Sequence, residues 1–209
     1  MIVPRALVLA AAFMLATPTL AQTTGPAQTP PPAVHANDRV LGRAEAPVTV
    51  IEYASFTCHL CADWHQLVLP EFKRRFVDTG RVRLVFRNLP TAPPELSFPA
   101  AALARCAEPE RFFDTAAALF RGQNALFNGG SQDDWYAGAV QASGRTRAQI
   151  DACVARPEIR TLIENEIDQA RAAGVQGTPA FFVNGRRIED RTLGGLEFAI
   201  RDAEAAAGR

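Results

Sequence analysis

Cys58-His59-Leu60-Cys61 sets two thiols three residues apart, just after the apolar run Pro47 to Ala54 and at the start of a helical pattern. A sulfur at such a junction meets unpaired helix N–H groups and the positive end of the helix dipole, and both favour a thiolate. The thiolate is the species that attacks, or leaves, in disulfide exchange. Cys61 comes almost one turn later, close enough to bond Cys58 yet deeper in the helix. The spacing therefore predicts an exposed attacking sulfur at 58 and a buried resolving sulfur at 61. His59 and Leu60 fill the gap, and a charged imidazole at 59 would favour the thiolate further. One unit of thiol pKa is about 1.4 kcal/mol, or roughly 30 mV for a two-electron couple, and a lower thiol pKa makes the disulfide more oxidising.

The same four residues are also half of a zinc site. Zinc would need two more ligands, and the nearest are His59 and His65. His59 falls between the cysteines, a poor spacing for a closed tetrahedron, and the sequence holds no second C-x-x-C. Neither a metal nor a cofactor is expected, and an inert disulfide is the other bland alternative. Glu52 stands in an otherwise apolar strand six residues before Cys58, where an acid is costly unless it is used. It is placed to exchange protons with Cys61, against the alternative that it reaches solvent at the strand end. His65, one turn past Cys61, reads as a partly exposed helix histidine, and Trp64 and Tyr53 read as packing. Pro179, in Gly177-Thr178-Pro179, precedes the strand Ala180 to Val183, a position that structure alone tolerates.

The elements that must hold these residues follow from periodicity. Pro47 to Ala54 reads as a strand covered on both faces. Trp64, Val68, Phe72 and Phe76 recur at four-residue intervals in a helix from Ala62 to Val77, which Pro70 should kink. Arg81 to Leu89 alternates Val82, Leu84 and Phe86 with arginines, as a half-buried strand. No strand appears from Ala92 to about Gly174. Phe112 to Phe120 and Ile159 to Ala170 carry helical stripes, and Trp135 to Ala142 and Thr146 to Ala155 read as shorter helices. Asn184-Gly185 between two short strands signals a two-residue hairpin, and Leu196 to Ala203 a final helix. The expected fold class is α/β: β-α-β, an all-helical insertion over 92–174, then β-β-α.

The N-terminus bears on compartment. Arg5 is followed by eleven unbroken apolar residues, Ala6 to Ala16, and Thr19-Leu20-Ala21 offers small residues for cleavage. That is the layout of a secretory signal peptide over 1–21, too short to span a bilayer. The Pro-rich stretch 22–37 reads as an extended linker with His35 solvated, and the folded body should begin near Asp38. An exported chain works where disulfides persist, so the isolated pair Cys106 and Cys153 is expected to form a structural bond. Closing that 47-residue separation would contribute about 4 kcal/mol on the chain-entropy model. The alternative is a second disulfide that tunes the first. Across 209 residues, 22 basic side chains balance 22 acidic ones, which argues against nucleic acid as a partner.

With these residues in place, EYASFTCHLCADWH and the later GVQGTPAFFVNG resemble the thioredoxin superfamily, and within it the DsbA-like periplasmic disulfide oxidoreductases. The resemblance runs over 38–209 and implies a thioredoxin fold, formed by 38–91 and 175–209, carrying the helical insertion. It implies that Thr178-Pro179 is a cis-proline loop facing the active-site disulfide, with Thr178 offering backbone hydrogen bonds to substrate. It also implies that Glu52 is the buried acid beneath the resolving cysteine. The expected activity is donation of the Cys58–Cys61 disulfide to reduced exported proteins through a mixed disulfide, with a DsbB-type membrane partner as reoxidant. One departure stands out: the better-known motif is C-P-H-C, whereas here histidine follows the first cysteine and leucine precedes the second. The rivals are a reductase or isomerase using the same residues, and a metal-binding or chaperone-like module.

Overall fold

The computed structural model describes residues 31–208. The expected signal peptide and most of the linker lie outside them. Five strands, β1 (Arg39–Leu41), β2 (Val48–Ala54), β3 (Val82–Asn88), β4 (Ala180–Val183) and β5 (Arg186–Ile188), form one mixed sheet in the order β1-β3-β2-β4-β5. β2 and β3 are parallel, and the other three pairings are antiparallel. The right of β2 to be nearly all apolar follows from this order, because it is the middle strand and both its faces are covered.

One face, built of Val48, Val50, Leu84, Phe181 and Val183, packs on Trp64, Phe72 and Phe76 and on Leu196, Ala199 and Ile200 of the last helix. The other face, with Ile51, Tyr53, Val85 and Phe182, packs on Ala170, Ala173 and Val175. The connection from β2 to β3 is a compound helix over 59–77. In it α1 (His59–Asp63) and α2 (Leu69–Phe72) alternate with the π turns Trp64–Val68 and Lys73–Val77. The expected break at Pro70 takes this form: proline cannot donate a backbone hydrogen bond. Just before it the Leu69 N–H bonds the Trp64 carbonyl, five residues back.

Between β3 and β4 come α3 (Pro94–Arg105), α4 (Phe112–Phe127), α5 (Gln132–Ala142), α6 (Arg147–Val154) and α7 (Pro157–Ala172), and α8 (Leu193–Ala207) ends the fold. The inserted helices share an apolar core that reaches the sheet through Ala54, Phe56 and Phe86. Cys106 and Cys153 are bonded inside that core. Asn184 and Gly185 both have positive φ, +44° and +81°, as the hairpin turn requires. The fold is the thioredoxin arrangement with a helical insertion.

Three details differ from the sequence reading. β1 is a three-residue strand with no period to read, yet it pairs with β3 and helps bury it. β3 is consequently not half-buried: Arg87 is fully enclosed. Its guanidinium donates to Asp38 at 2.8 and 2.9 Å and to the Tyr53 hydroxyl at 2.9 Å. A buried charge persists only when paired and hydrogen-bonded in this way. The body also begins earlier than Asp38, because the Ala33 carbonyl accepts a hydrogen bond from Arg87.

Candidate active site

The strand-to-helix junction sets the first cysteine. Cys58 is the N-cap of α1 in an extended conformation (φ −86°, ψ 116°), and its carbonyl accepts from the N–H groups of Cys61 and Ala62 at 3.1 Å. The approach loop is held by a Ser55–Thr57 hydroxyl contact of 3.1 Å and by the Thr91 N–H on Ser55 Oγ at 3.1 Å. Cys58 is half-buried and Cys61 has no exposed surface, so the expected division between an accessible and an enclosed sulfur is present.

Opposite them lies the loop before β4. The Thr178–Pro179 peptide bond is cis, and the Cys58 thiol donates to the Thr178 carbonyl at 3.3 Å across 120 residues of sequence. A groove of about 410 Å³ runs beside the motif, with an apolar side of Leu60, Trp64, Leu67, Val68 and Pro179 and a polar rim that includes Asp63 and the segment 189–192. Leu60 and Leu67 are both exposed there. A larger cleft of about 480 Å³, lined by His35, Asn37, Arg105 and Glu166 among others, shares no residue with the motif.

The two thiols are driven in opposite directions. A hydrogen bond from the Cys61 thiol brings Cys58 down to about 6. Burial opposes this, while a hydrogen bond with the Thr178 side chain and the backbone N–H groups of Cys61 and Leu60 assist. Burial pushes the Cys61 thiol well above its ordinary range, helped by its bond to Cys58 and by the charge of Glu52. His59 is exposed and stands outside the groups that depress Cys58 most.

Glu52 is wholly buried, on the sheet face under the compound helix. His65 Nε2 lies 3.1 and 3.0 Å from its two carboxylate oxygens. This corrects the reading of His65 as partly exposed, since only 7% of the residue reaches solvent. The compound helix is covered from two sides, by the sheet and by α4, so the Cys61–His65 row is buried along with the Trp64–Phe72 row. The imidazole stacks on Phe120 of α4, with ring centres 4.2 Å apart.

Gln123 was not anticipated. From α4 its amide donates to the carbonyls of Phe56 at 2.7 Å and Cys58 at 3.1 Å, tying the helical insertion to the motif. A signal existed, because Gln123 continues the buried stripe Ala116, Leu119, Phe120 one turn on. A polar residue in such a stripe needs a partner.

Residues 35–202 match the thioredoxin family model. A Rickettsia prowazekii protein named as a protein-disulfide oxidoreductase is 31% identical over 169 residues, 80% of this chain. The match spans 61% of that relative's length, so the chain covers about three fifths of the rickettsial proteins it resembles. A Bacillus cereus protein named as disulfide bond formation protein D is 26% identical over 72% of each chain. Among solved structures, alpha-DsbA1 of Wolbachia pipientis has a TM-score of 0.73 at 25% identity, covering 83% of this chain and 94% of that one. BdbD of Bacillus subtilis shares the fold, with a TM-score of 0.72 at 20% identity over 84% and 97% of the two chains. The model match takes in the sheet, the motif, the facing loop and the inserted helices alike, and the chain belongs to the thioredoxin family, among its DsbA-like members.

Proposed function

We propose that the chain is a protein thiol:disulfide oxidoreductase that donates its Cys58–Cys61 disulfide to exported proteins in the periplasm. The observation that carries this reading is the opposed pair of thiols, Cys58 lowered to about 6 and Cys61 raised, facing the Thr178–Pro179 loop. A substrate thiolate attacks Cys58 Sγ, the Cys58–Cys61 bond breaks, and Cys61 leaves as a thiolate that takes up a proton. A second substrate thiolate then attacks the substrate sulfur of the mixed disulfide. The substrate disulfide forms and Cys58 leaves as the stabilised thiolate. Both products therefore sit in surroundings suited to them, one thiolate at a helix N-terminus and one neutral thiol in the core.

The other residues take subsidiary roles in this reading. Thr178 and Pro179 present backbone to the substrate peptide, and the groove by Leu60 receives its apolar side chains. Glu52 exchanges the Cys61 proton, while His59 and Leu60 set the local field and shape at the motif. Among the described residues no helix is long and apolar enough to cross a membrane. A membrane reoxidant of the DsbB type follows from the family resemblance, as does the periplasmic setting.

The test is transfer. Oxidised chain mixed with a reduced, unfolded cysteine-containing protein should yield disulfides in that protein and free thiols at 58 and 61. Its reduction potential against glutathione should lie toward roughly −120 mV, the strong-oxidant end. A potential near roughly −270 mV would replace the donor by a reductase. No transfer in either direction would reject the oxidoreductase reading itself.

A further inference from the structure

Cys61 gains a proton whenever the disulfide opens and loses one whenever it closes, and it has no exposed surface through which to do so. Glu52 is equally enclosed, so it relays that proton only if something relays it onward. The one imidazole in contact with Glu52 belongs to His65. The same residue lines a cleft of about 260 Å³ on the far side, with Gln66, Pro70, Ala117, Phe120 and Arg121. His65 thus touches both the buried carboxylate and a surface opening. An imidazole has two ring nitrogens, and it takes a proton at one while releasing a proton from the other.

We propose that His65 passes the proton between Glu52 and solvent, through the cleft between the compound helix and α4, each time Cys61 is protonated or deprotonated. The proposal rests on the thiol-exchange reading above and deepens it. When a thiol opens the disulfide, the Cys58–Cys61 bond breaks and a new bond forms at Cys58. The electron pair of the old bond stays on Cys61 as a thiolate. Glu52 supplies the proton that makes Cys61 neutral, and His65 restores it from water in the cleft. Closure runs the same path outward. His65 acts through Glu52 and is therefore a positioning residue for that proton.

The surroundings suit the role. The charged groups at His65 are Glu52 from β2 and, across the cleft, Arg121 from α4, while β3 sets the Phe86 ring against the imidazole. Phe120 and Phe86 fix the imidazole by stacking and edge contact, at 4.2 and 5.8 Å between ring centres. Gln66 donates to the Phe120 carbonyl at 3.2 Å and pins the cleft's other wall.

The experiment follows reduction of the Cys58–Cys61 disulfide by dithiothreitol across pH, in the full chain and in His65→Ala and His65→Gln. Both variants should slow the reaction on the order of a hundredfold, the usual scale for one proton-transfer group. They should leave the Cys58 thiolate titration unchanged. Imidazole added to His65→Ala should restore the rate and the pH profile, because it enters the space the side chain vacated. Should His65→Ala fail to fold, His65→Gln decides the matter, since it keeps an N–H toward Glu52 but cannot carry a proton. Unchanged rates in the variants would overturn the proposal, and so would slowing with an unaltered pH profile and no imidazole rescue. Disulfide transfer by the unmodified chain reads the oxidoreductase function separately, so failure of one is distinguishable from failure of the other.

Discussion

The molecule holds two cysteine pairs in opposite electrostatic settings. Cys58 caps the N-terminus of a helix, where the dipole is positive. Cys106 caps the C-terminus of α3, and Cys153 is the last residue but one of α6, so both meet the negative ends. Both are also enclosed by the apolar core of the helical insertion. Helix polarity therefore differs between the two pairs, and only the first holds a sulfur that is partly accessible, Cys58. Spacing alone, C-x-x-C against a separation of 47, reports the difference only indirectly.

The largest effect that tests this contrast is at the reactive pair. Cys58→Ser should abolish disulfide exchange with protein thiols, while Cys61→Ala should accumulate mixed disulfides through Cys58 when mixed with an oxidised protein. Gel shifts reversed by reductant check both, and free turnover in Cys58→Ser would break the assignment. Next comes the inert pair. Replacing Cys106 and Cys153 together by serine should lower unfolding stability by about 4 kcal/mol, with the alkylation profile of Cys58 unchanged. Chemical denaturation measures it, and unaltered stability would remove the staple. A smaller loss, about 1–3 kcal/mol, is expected for Gln123→Leu, which takes the side-chain donor from the buried Phe56 carbonyl and leaves the Cys58 carbonyl only its helix N–H partners.

The smallest effect is also the most direct reading of the electrostatics. Alkylation of Cys58 should reach half its maximal rate near pH 6. The same titration affects stability of the reduced protein. A thiol lowered in the folded state stabilises it most above the ordinary thiol value, and that contribution is lost as pH falls through about 6. Stability of the reduced chain relative to Cys58→Ser should therefore rise between those limits, and a flat difference would show that Cys58 is not lowered.

The sequence was most readable where one residue type repeats against a covered face. β2, the hairpin at Asn184-Gly185 and the stripes of α4 and α7 were all visible in this way. β1 is too short to show a period. The start of α3 was hidden by Pro93 and Pro94 at its entry and by Pro99 within it, although proline is favourable in a first turn. At the site, Cys58, Cys61 and Glu52 are singled out by type and position, and Thr178-Pro179 by the family resemblance. His65, Gln123 and Arg87 were missed or misread for one reason. A polar side chain is buried according to its partner, and the partners stand 13, 65 to 67 and 49 residues away. Such pairings arise only when layers meet. Glu52 and His65 share one short stretch of sequence, yet the strand-to-helix turn between them hides that they face each other. For Gln123 and Arg87 no short window contains both members.

The contact between Cys58 and Thr178 has a consequence for synthesis. With 120 residues between them, the motif leaves the ribosome long before the loop that faces it. Until β4 arrives, the nascent chain carries a reactive dithiol whose opposite wall has not been made. Nascent chains fold from the N-terminal end, and contacts this distant in sequence form late because loop closure must come first. The wall opposite the motif is therefore completed late, and a fragment ending before Thr178 would carry both thiols without it.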